Sequence, residues 1–479
     1  MTEWETVIGL ECHVELNTRT KMFCGCRNEF GAPPNTLTCP VCLGLPGSLP
    51  VPNREAIARI VKIGLALGSE IAPRSLFHRK NYFYPDMPKN YQISQYDLPV
   101  CVGGRLDVAL ADGTTKAVGI TRVHMEEDTG KTVHGSTSGR IHDADHALVD
   151  YNRAGVPLVE CVSEPDMHSP AEAAAYLREL RALLEALDVS DVRMEEGSLR
   201  CDANVSVRPA GSDELGVKVE IKNMNSVRSL ERALTYEAER QIGALEVGQP
   251  LVQETRHWDE DAGATKTMRS KEEAFDYRYF PEPDIPALEP SRGWVEGIGG
   301  ALPELPAARR ARYQRDLGLK PEVARVLVAD RSAATLFEET VALGADPGSA
   351  ANWVTQDVAA LRKTGTGALT ARHVADLVRL LADGTISGAG AKQTLEEAFS
   401  TGDPVEAIVD RLSLRQVSDE GELGAIVDRV LEEHADAAAK VRAGNEGVLG
   451  FLLGQVMRAS GGSANPTLAR ELLRERLSG

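Results

Sequence analysis

The stretch VIGLECHVEL, residues 7–16, alternates apolar and polar side chains. A period of two predicts a β-strand with one buried face. It places Glu11, His13 and Glu15 together on the polar face, opposite leucine, cysteine and valine side chains. The same strand therefore predicts part of a hydrophobic core and a candidate site for chemistry.

Two later segments repeat this pattern. Residues 199–207 and 217–222 also alternate, with Asp202 on the polar face of the first and Glu220 on that of the second. Sheets with one apolar and one polar face are usually antiparallel, because crossover helices would cover both faces. We therefore expect a largely antiparallel sheet, with a few helices such as one capped by Ser169.

The composition changes along the 479 residues of the chain. All eight cysteines lie at or before Cys201, few aromatic residues follow residue 300, and several prolines within residues 279–306 indicate a boundary. The remainder is rich in Ala, Leu, Glu and Arg with helical periodicity. We predict an α+β domain at residues 1–293, an all-α helical domain at 294–404 and an α-helical tail domain at 405–479.

The net charge is −18, from 53 basic and 71 acidic residues. This excludes a wholly basic nucleic-acid-binding protein, although a local basic patch remains compatible with it. No apolar run approaches the roughly 18 residues that would span a bilayer. The first residues, MTEWET, do not resemble a signal peptide. We therefore expect a cytoplasmic protein with no membrane contact, whose cysteines are thiols or metal ligands.

The most specific local pattern is a cysteine quartet. Cys24 and Cys26 are followed by Cys39 and Cys42, so two close thiol pairs on turns can converge around one ion. We favour structural Zn²⁺ in a knuckle loop at residues 24–42, with no open position for chemistry. The alternative is four free buried cysteines.

Polar side chains recur on the predicted strands. Glu11 and His13 share a face, as would His124, Glu126 and Asp128 in extended chain. Carboxylate-rich ligation favours Mg²⁺ or Mn²⁺, ions that assist phosphoryl transfer. For each motif alone, a solvated sheet face is the simpler interpretation, and the recurrence on several strands is what favours a site.

The common nucleotide-binding and hydrolase motifs are missing. Gly130, Lys131 and Thr132 resemble the end of a P-loop, but Met125 stands where its first glycine is required. The sequence contains no Gly-x-Ser-x-Gly nucleophile elbow and no Gly-x-Gly-x-x-Gly after a strand. Any nucleotide chemistry must therefore use a less common site.

Residues 77–96 are unusually rich in tyrosine. Lys80 and Lys89 are interleaved with tyrosines 82, 84, 91 and 96. Such a segment could line a polar passage or stack on nucleobases. An ordered surface loop with aromatic anchors is the simpler alternative.

Long motifs extend over nearly the whole chain: GLECHVEL (9–16), RKNYFYPD (79–86), KNYQISQYD (89–97), HMEEDTGK (124–131), DYNRAGVPLVE (150–160), SEPD (163–166), MEEGSLRCDANVSVRP (194–209), KNMNS (222–226), DYRYFPEPD (276–284), PELP (303–306), NW (352–353) and GFLLGQVMRAS with ANP (450–466). In these motifs the chain resembles the B-subunit family of the tRNA-dependent amidotransferase.

The resemblance implies a cradle domain, a helical domain and a tRNA-binding tail. It implies one subunit of a heterotrimer with A and C chains, acting in protein synthesis on misacylated Asp-tRNA(Asn) or Glu-tRNA(Gln). Such a B subunit uses ATP and Mg²⁺ to phosphorylate the side-chain carboxylate of the tRNA-bound amino acid. Ammonia, released from glutamine by the A subunit, then displaces the phosphate. The implied enzyme class is an ATP-dependent carbon–nitrogen ligase, with the zinc quartet present in only part of the family.

By motif match, the implied Mg²⁺ ligands and catalytic residues are Glu11, His13 and Glu126. Weaker candidates for a second ion or for substrate orientation are Glu160, Asp202 and Glu220. Lys80 and Lys89 are implied in phosphate handling or ammonia passage, without an order between them. In the tail, tRNA contact is expected from Arg458, Arg470 and Arg474, for which an exposed amphipathic helix face is the alternative.

Two other functions remain open at this point. One is a zinc-containing RNA-binding module without catalysis of its own. The other is a stand-alone ligase that takes free ammonia.

Overall fold

The computed structural model describes residues 3–135, 146–270, 277–416, 420–443, 445–461 and 464–478. The chain divides into two compact units, Met1–Arg309 and Arg310–Gly479. The first contains the strands, and the second is helical in its described parts. The predicted order of an α+β region followed by helical regions is confirmed. The predicted boundaries at residues 293/294 and 404/405 stay predictions.

The strands, in chain order, are β1 (Trp4–Glu15), β2 (Glu70–Ile71), β3 (His78–Asn81), β4 (Tyr91–Ser94), β5 (Cys101–Val102), β6 (Arg105–Ala109), β7 (Thr115–Glu127), β8 (Lys131–His134), β9 (Ala147–Asp150), β10 (Pro157–Ser163), β11 (Leu199–Pro209), β12 (Val219–Lys222), β13 (Glu254–Asp259), β14 (Ala264–Ser270) and β15 (Phe280–Pro281). Between and after them come α1 (Arg54–Ala66), α2 (Pro170–Ala186), α3 (Val227–Glu246) and α4 (Arg292–Gly300).

The main sheet has the order β14-β13-β12-β11-β1-β10-β7-β5-β2, with β6 also paired to β7. Its pairs are antiparallel except β12 with β13, which are parallel. The largely antiparallel sheet is therefore confirmed. Two smaller sheets have the orders β15-β3-β4 and β8-β9.

One face of the main sheet packs on helices. Leu10 of β1 shares a hydrophobic core with Ile60 of α1, Leu177 of α2 and Leu230 of α3. Along β1, buried residues alternate with partly exposed ones, as the sequence period requires. The opposite face of β1 is thereby left to its polar side chains.

Polar caps begin the helices that cover this sheet. The Asn53 side chain accepts hydrogen bonds from the first turn of α1, and Ser169 accepts one from Glu172 at the start of α2. These bonds satisfy backbone N–H groups that a helix start leaves unpaired. The predicted cap at Ser169 is confirmed.

A further helix, α5 (Pro306–Leu317), spans the division between the units. The second unit continues with α6 (Pro321–Val328), α7 (Arg331–Ala342), α8 (Pro347–Trp353), α9 (Ala359–Thr364), α10 (Ala371–Ala382), α11 (Gly388–Thr401), α12 (Val405–Arg411), α13 (Glu420–Glu433), α14 (Ala435–Arg442), α15 (Leu449–Ala459) and α16 (Pro466–Ser478). A π-helical turn lies at Val354–Val358 and a 3₁₀ turn at Glu446–Val448.

The second unit has two hydrophobic cores, one within residues 313–409 and one within residues 423–477. Among the described helices, none combines the length and apolar character needed to cross a membrane.

Gly64 of α1 provides a test of how tightly this helix packs on the sheet. A methyl group there would meet the Cys101 side chain, with its Cβ at 3.0 Å, and the Ile71 Cδ1 at 3.1 Å. We expect Gly64→Ala to destabilise the first unit by about 1–2 kcal/mol, because overpacking outweighs the gain in helix propensity. Urea unfolding followed by circular dichroism measures the change.

Gly243→Ala in α3 is the matched control, since no heavy atom lies within 4 Å of an added methyl group there. We expect this variant to gain about 0.5–1 kcal/mol. Equal effects of the two substitutions would contradict close packing at Gly64.

Candidate functional site

Three strands align polar side chains in one row across the main sheet. His13 of β1 lies opposite Glu160 of β10, and Glu160 lies opposite His124 of β7. Directly opposite residues of antiparallel strands project to the same face. Glu126 follows two positions after His124 and so shares that face. We name these four residues the His–Glu cluster.

The side chains of the His–Glu cluster are in contact. The Glu160 Oε2 atom lies 3.5 Å from His13 Nε2 and 3.2 Å from His124 Nε2. The Glu126 Oε1 atom lies 3.5 Å from His124 Nε2. His13, Glu126 and Glu160 each offer one donor atom, and these three atoms lie within 4.8 Å of one another. This spacing could hold a metal ion.

The cluster is held from the small sheet. Ser94 of β4 donates a hydrogen bond to Glu126 Oε1 at 2.8 Å, and Gln92 donates to its Oε2 at 3.2 Å. Lys80 of β3 belongs to the same environment, because the charge of Glu126 raises the pKa of Lys80 against the lowering effect of burial. Lys80 therefore stays protonated beside the cluster at neutral pH.

Burial and charge compete in setting the protonation of this cluster. Burial would raise the pKa of Glu126, but the charge of Lys80 and the hydrogen bond from His124 bring it to about 2. Burial would likewise raise the pKa of Glu160, and His124 and His13 lower it well below its usual range. Both carboxylates are therefore ionised at neutral pH.

The pKa values of the two imidazoles in the cluster are raised. Burial would lower the pKa of His124, but Glu160 and Glu126 raise it to about 9. Burial also opposes protonation of His13, and its hydrogen bond with Glu160 raises the pKa overall. Arg122 Nε lies 3.3 Å from His124 Nδ1, a contact that favours the neutral ring. Two carboxylates facing Nε2 outweigh this single long contact.

The sequence-based ligand set of Glu11, His13 and Glu126 is brought together only in part. Glu11 lies on the same face of β1, but its carboxylate accepts a hydrogen bond from Asn204 Nδ2 at 2.9 Å. Glu160, ranked lower from the sequence, takes the central position between the two imidazoles. The reason is register, because Glu11 lies opposite Val162 on β10 while His13 lies opposite Glu160.

Asp202 and Glu220 form a second polar group towards β11 and β12. Lys222 Nζ pairs with the Asp202 carboxylate and lies 3.1 Å from Glu220 Oε1. Glu220 also accepts a hydrogen bond from Thr255 at 2.8 Å. Both acids share the sheet face of Glu11, since Asp202 lies opposite Glu11.

Asp128 lies at a third position on this face. Arg200 Nη2 contacts its Oδ2 atom at 2.6 Å, and Arg153 Nε lies 3.7 Å away. Burial and the neighbouring Asp128 raise the pKa of Glu15 to about 9, so Glu15 is protonated at neutral pH. Asp128 is thus tied to arginines and does not join the His–Glu cluster.

The two candidate lysines face different environments. Lys80 faces the cluster, whereas Lys89 pairs with Glu127, the residue after Glu126. Glu127 also accepts a hydrogen bond from the backbone N–H of Ile93 at 2.9 Å. The Lys89–Glu127 pair lines a cavity of about 190 Å³ that also touches the cysteine loop.

The predicted cysteine quartet converges. Cys24, Cys26, Cys39 and Cys42 bring their sulfur atoms within 4.8 Å of one another, so they could hold a metal ion. The Cys24 thiol hydrogen bond, with other contacts, lowers the pKa of Cys42 to about 5, so this thiol ionises readily. Cys24 itself has a raised pKa, because it donates that bond.

A buried lysine beside the quartet had no signal in the sequence. Lys21 is fully buried, with its Nζ atom 3.8 Å from Cys42 Sγ and 3.2 Å from the Tyr151 carbonyl oxygen. A buried ammonium group is costly unless anionic or dipolar partners surround it. Lys21 adjoins the cysteine loop in sequence, but only the folded chain brings it to Cys42.

The three tail arginines lie on the surface of the second unit. Arg458 is in the last turn of α15, and Arg470 and Arg474 follow one another by four positions along α16. All three are exposed. This position fits both an RNA contact and an amphipathic helix face.

Comparison with known proteins agrees with these features. The family model described as the GatB/GatE catalytic domain matches residues 6–296, and that described as the GatB domain matches residues 335–477. The chain is 53% identical to the aspartyl/glutamyl-tRNA(Asn/Gln) amidotransferase B subunit of Moorella thermoacetica, over 99% of this chain and 100% of the relative. It is 51% identical to the protein of the same name from Synechocystis sp., over 98% and 97%.

The charge state of His124 can be measured. In the metal-free protein we expect its imidazole to titrate near pH 9, since two carboxylates stabilise the protonated ring. Because the folded pKa exceeds the unfolded one, the stabilisation is complete below about pH 6.5 and is lost as the pH rises towards 9. NMR titration of the assigned histidine signals measures the midpoint.

Glu160→Gln removes one facing charge and should lower that midpoint. A wild-type midpoint near the ordinary histidine value, or a midpoint unchanged in Glu160→Gln, would contradict the proposed electrostatics of the cluster.

Proposed function

The chain belongs to the family of aspartyl/glutamyl-tRNA(Asn/Gln) amidotransferase B subunits, and we propose that it phosphorylates the side-chain carboxylate of tRNA-bound aspartate or glutamate with ATP. A carboxylate is a poor acyl donor, because its leaving group would be an oxide. In the proposed reaction a carboxylate oxygen attacks the γ-phosphorus and ADP leaves. Ammonia then attacks the acyl phosphate, inorganic phosphate leaves, and the amide forms.

The observation that carries this proposal is the His–Glu cluster. Two ionised carboxylates lie among two imidazoles and Lys80 on the polar face of the sheet. Phosphoryl transfer depends on positioning and on neutralising charge, with little covalent chemistry for the protein to perform. Cationic groups and a metal-binding donor set are therefore the features such a site requires.

The donor set fits Mg²⁺. Oxygen atoms of Glu126 and Glu160 suit a hard divalent cation, and His13 supplies a third donor within the same 4.8 Å. Bound there, Mg²⁺ would offset charge on the transferred phosphoryl group. Since a histidine ligand must be neutral, an ion at His13 would compete with a proton for the same ring nitrogen. Glu11, Asp202 and Glu220 remain candidates for a second ion or for substrate orientation.

The protein's own residues would perform the remaining tasks. Lys80 remains a cation beside Glu126, and so could attract the transferred phosphoryl oxygens. Ser94 and Gln92 fix the orientation of Glu126 through their hydrogen bonds. His124 holds both carboxylates through one ring nitrogen. Lys80 is the better placed of the two lysines for phosphate, because Lys89 is paired with Glu127.

The partners follow from the family. The relatives are named as B subunits, which implies further subunits, and we propose A and C chains with the A chain releasing ammonia from glutamine. Lys89 and its cavity remain a candidate for ammonia passage, supported by their position next to the cluster strand β7. In the tail, Arg458, Arg470 and Arg474 are proposed to contact the tRNA backbone through charge.

For the cysteine quartet we propose structural Zn²⁺. Four sulfur donors match tetrahedral zinc ligation and leave no open coordination position. Lys21 would offset part of the negative charge of four thiolates. The proposed role is to fix the loop at residues 24–42.

The proposed phosphoryl-transfer site predicts that substitutions in the His–Glu cluster lower ADP formation. In the complex assembled with A and C chains, we expect Glu160→Gln and His13→Ala to lower aminoacyl-tRNA-dependent ADP formation about 100-fold, because each removes a donor to the charge-neutralising group. ADP release measured with and without charged tRNA gives the rate.

Glu164→Gln is the control, since this carboxylate lies just beyond the same strand and accepts a hydrogen bond from Thr121. Its rate should match the wild type. Full activity of Glu160→Gln and His13→Ala would favour the alternative of an RNA-binding module without catalysis.

The proposed zinc site predicts that a variant lacking one of the four cysteines no longer binds the metal. We expect the purified chain to contain stoichiometric zinc, and Cys39→Ser to lose it, because serine is a poor zinc donor. Elemental analysis after gel filtration measures the content. Cys101→Ala, which changes a buried core cysteine, should retain the metal. Zinc retained by Cys39→Ser would argue for free thiols.

A further inference from the structure

Five tyrosine rings form a continuous chain beside the His–Glu cluster. Ring centroids are 5.9 Å apart for Tyr84 and Tyr82, 6.3 Å for Tyr82 and Tyr277, and 6.1 Å for Tyr277 and Tyr279, all edge-on. The last contact, between Tyr279 and Tyr96, is parallel, with centroids 4.5 Å apart and an interplanar angle of 15°. We name these five residues the tyrosine wall.

The wall borders the cluster. Lys80 Nζ lies 5.1 Å from the centre of the Tyr277 ring. The charge of Glu126 raises the pKa of this lysine. Burial raises the pKa of Tyr279 to about 12, with Lys80 opposing and Glu126 adding to the effect. Burial and the charge of Glu126 also raise the pKa of Tyr82. Lys80 also lies directly opposite Gln92 of β4, whose side chain donates to Glu126, so Lys80 connects the Tyr277 ring to the cluster.

One end of the wall is the stacked pair of Tyr96 and Tyr279, and among the described residues Tyr96 also has the His78 ring edge-on to it, with centroids 6.3 Å apart. Tyr279 is half-buried and covers one side of Tyr96, whose exposure is nevertheless 59%. A flat aromatic surface of this kind binds nucleobases without regard to their edges, since every base has a π-face. Tyr277 packs edge-on against Tyr279 and so supports one side of the pair.

We propose that the exposed face of the Tyr96–Tyr279 stack binds the adenine ring of the terminal adenosine of the aminoacyl-tRNA. This inference rests on the proposed function, in which a tRNA-bound carboxylate reacts at the His–Glu cluster. The amino acid is esterified to the ribose of that adenosine. Only a short covalent path joins its carboxylate to the base, so the base must lie beside the cluster.

The proposed chemistry separates this base from the adenine of ATP. Lys80 lies 5.1 Å from the centre of the Tyr277 ring and is the cation assigned above to the transferred phosphoryl group. The adenine of ATP is joined to that group through the α- and β-phosphates, whereas the adenosine of the tRNA is joined to the reacting amino acid by one ester. We therefore assign the stack to the base of the aminoacyl-tRNA, and the KM for ATP tests the alternative.

The test uses the complex with A and C chains and tRNA whose terminal adenosine is replaced by 2-aminopurine riboside. Stacking on tyrosine quenches 2-aminopurine fluorescence. We expect quenching with the wild type and with Tyr96→Phe, which keeps the ring, and its loss with Tyr96→Ala. With unmodified substrate, Tyr96→Ala should raise KM for aminoacyl-tRNA about 5- to 100-fold, with KM for ATP unchanged.

Phe83→Ala is the matched control, because Phe83 is an exposed aromatic residue of the same segment outside the proposed stack. It should leave quenching and both KM values unchanged. A rise in KM for ATP alone in Tyr96→Ala would assign the stack to ATP and overturn the proposal. Weakened assembly of Tyr96→Ala with the A and C chains in gel filtration would overturn it in favour of a subunit interface.

Quenching is measured without ATP, which separates this proposal from the proposed function. If the wild-type complex quenches the probe but forms no ADP with charged tRNA and ATP, phosphorylation is rejected and the stack is retained. ADP formation at the wild-type rate and KM values in Tyr96→Ala, without quenching in the wild type, would reject the stack alone.

Discussion

Two carboxylates buried on one sheet face constrain the structure around them. Removing a single ionised carboxylate from water has an idealised cost of order 20 kcal/mol, which real sites reduce to several kcal/mol. Glu126 and Glu160 can stay ionised only because His124, His13 and Lys80 face them. The cross-strand row of β1, β10 and β7 is what brings these groups together.

The same register determines the core. Cys12 and Val14 of β1 point away from His13 and are fully buried. A slip of one residue would exchange the faces, moving His13 into the core and Cys12 into the polar site. The hydrophobic packing of α1, α2 and α3 on one face therefore maintains the charged geometry on the other. Core stability and site geometry are coupled through this pairing.

Period-two patterns were enough to predict the strands at residues 7–16 and 199–207, their faces and the largely antiparallel sheet. They could not predict which residues of distant strands lie opposite one another. The motif resemblance ranked Glu160 below Glu11, and no local pattern could show that Glu160 lies opposite His13, since pairing across some 150 residues depends on the folded core. The parallel pair β12–β13 and the buried Lys21 also depend on tertiary packing and left no local pattern.

Alternation along a single strand also explains why two polar sites lie so close together without merging. Glu126 and Glu127 are neighbours at the end of β7, so their side chains project in opposite directions. Glu126 meets Lys80 and the His–Glu cluster, whereas Glu127 meets Lys89 and the cavity beside the cysteine loop. The small sheet repeats this division, because Lys80 and Arg79 lie on opposite faces of β3, and Arg79 lines the Lys89 cavity. The alternation of side chains along β7 and β3 thus places the candidate phosphoryl-transfer site and the candidate ammonia passage on opposite sides of the same strands. Lys80 and Lys89 therefore lie in different electrostatic environments although they are close in sequence.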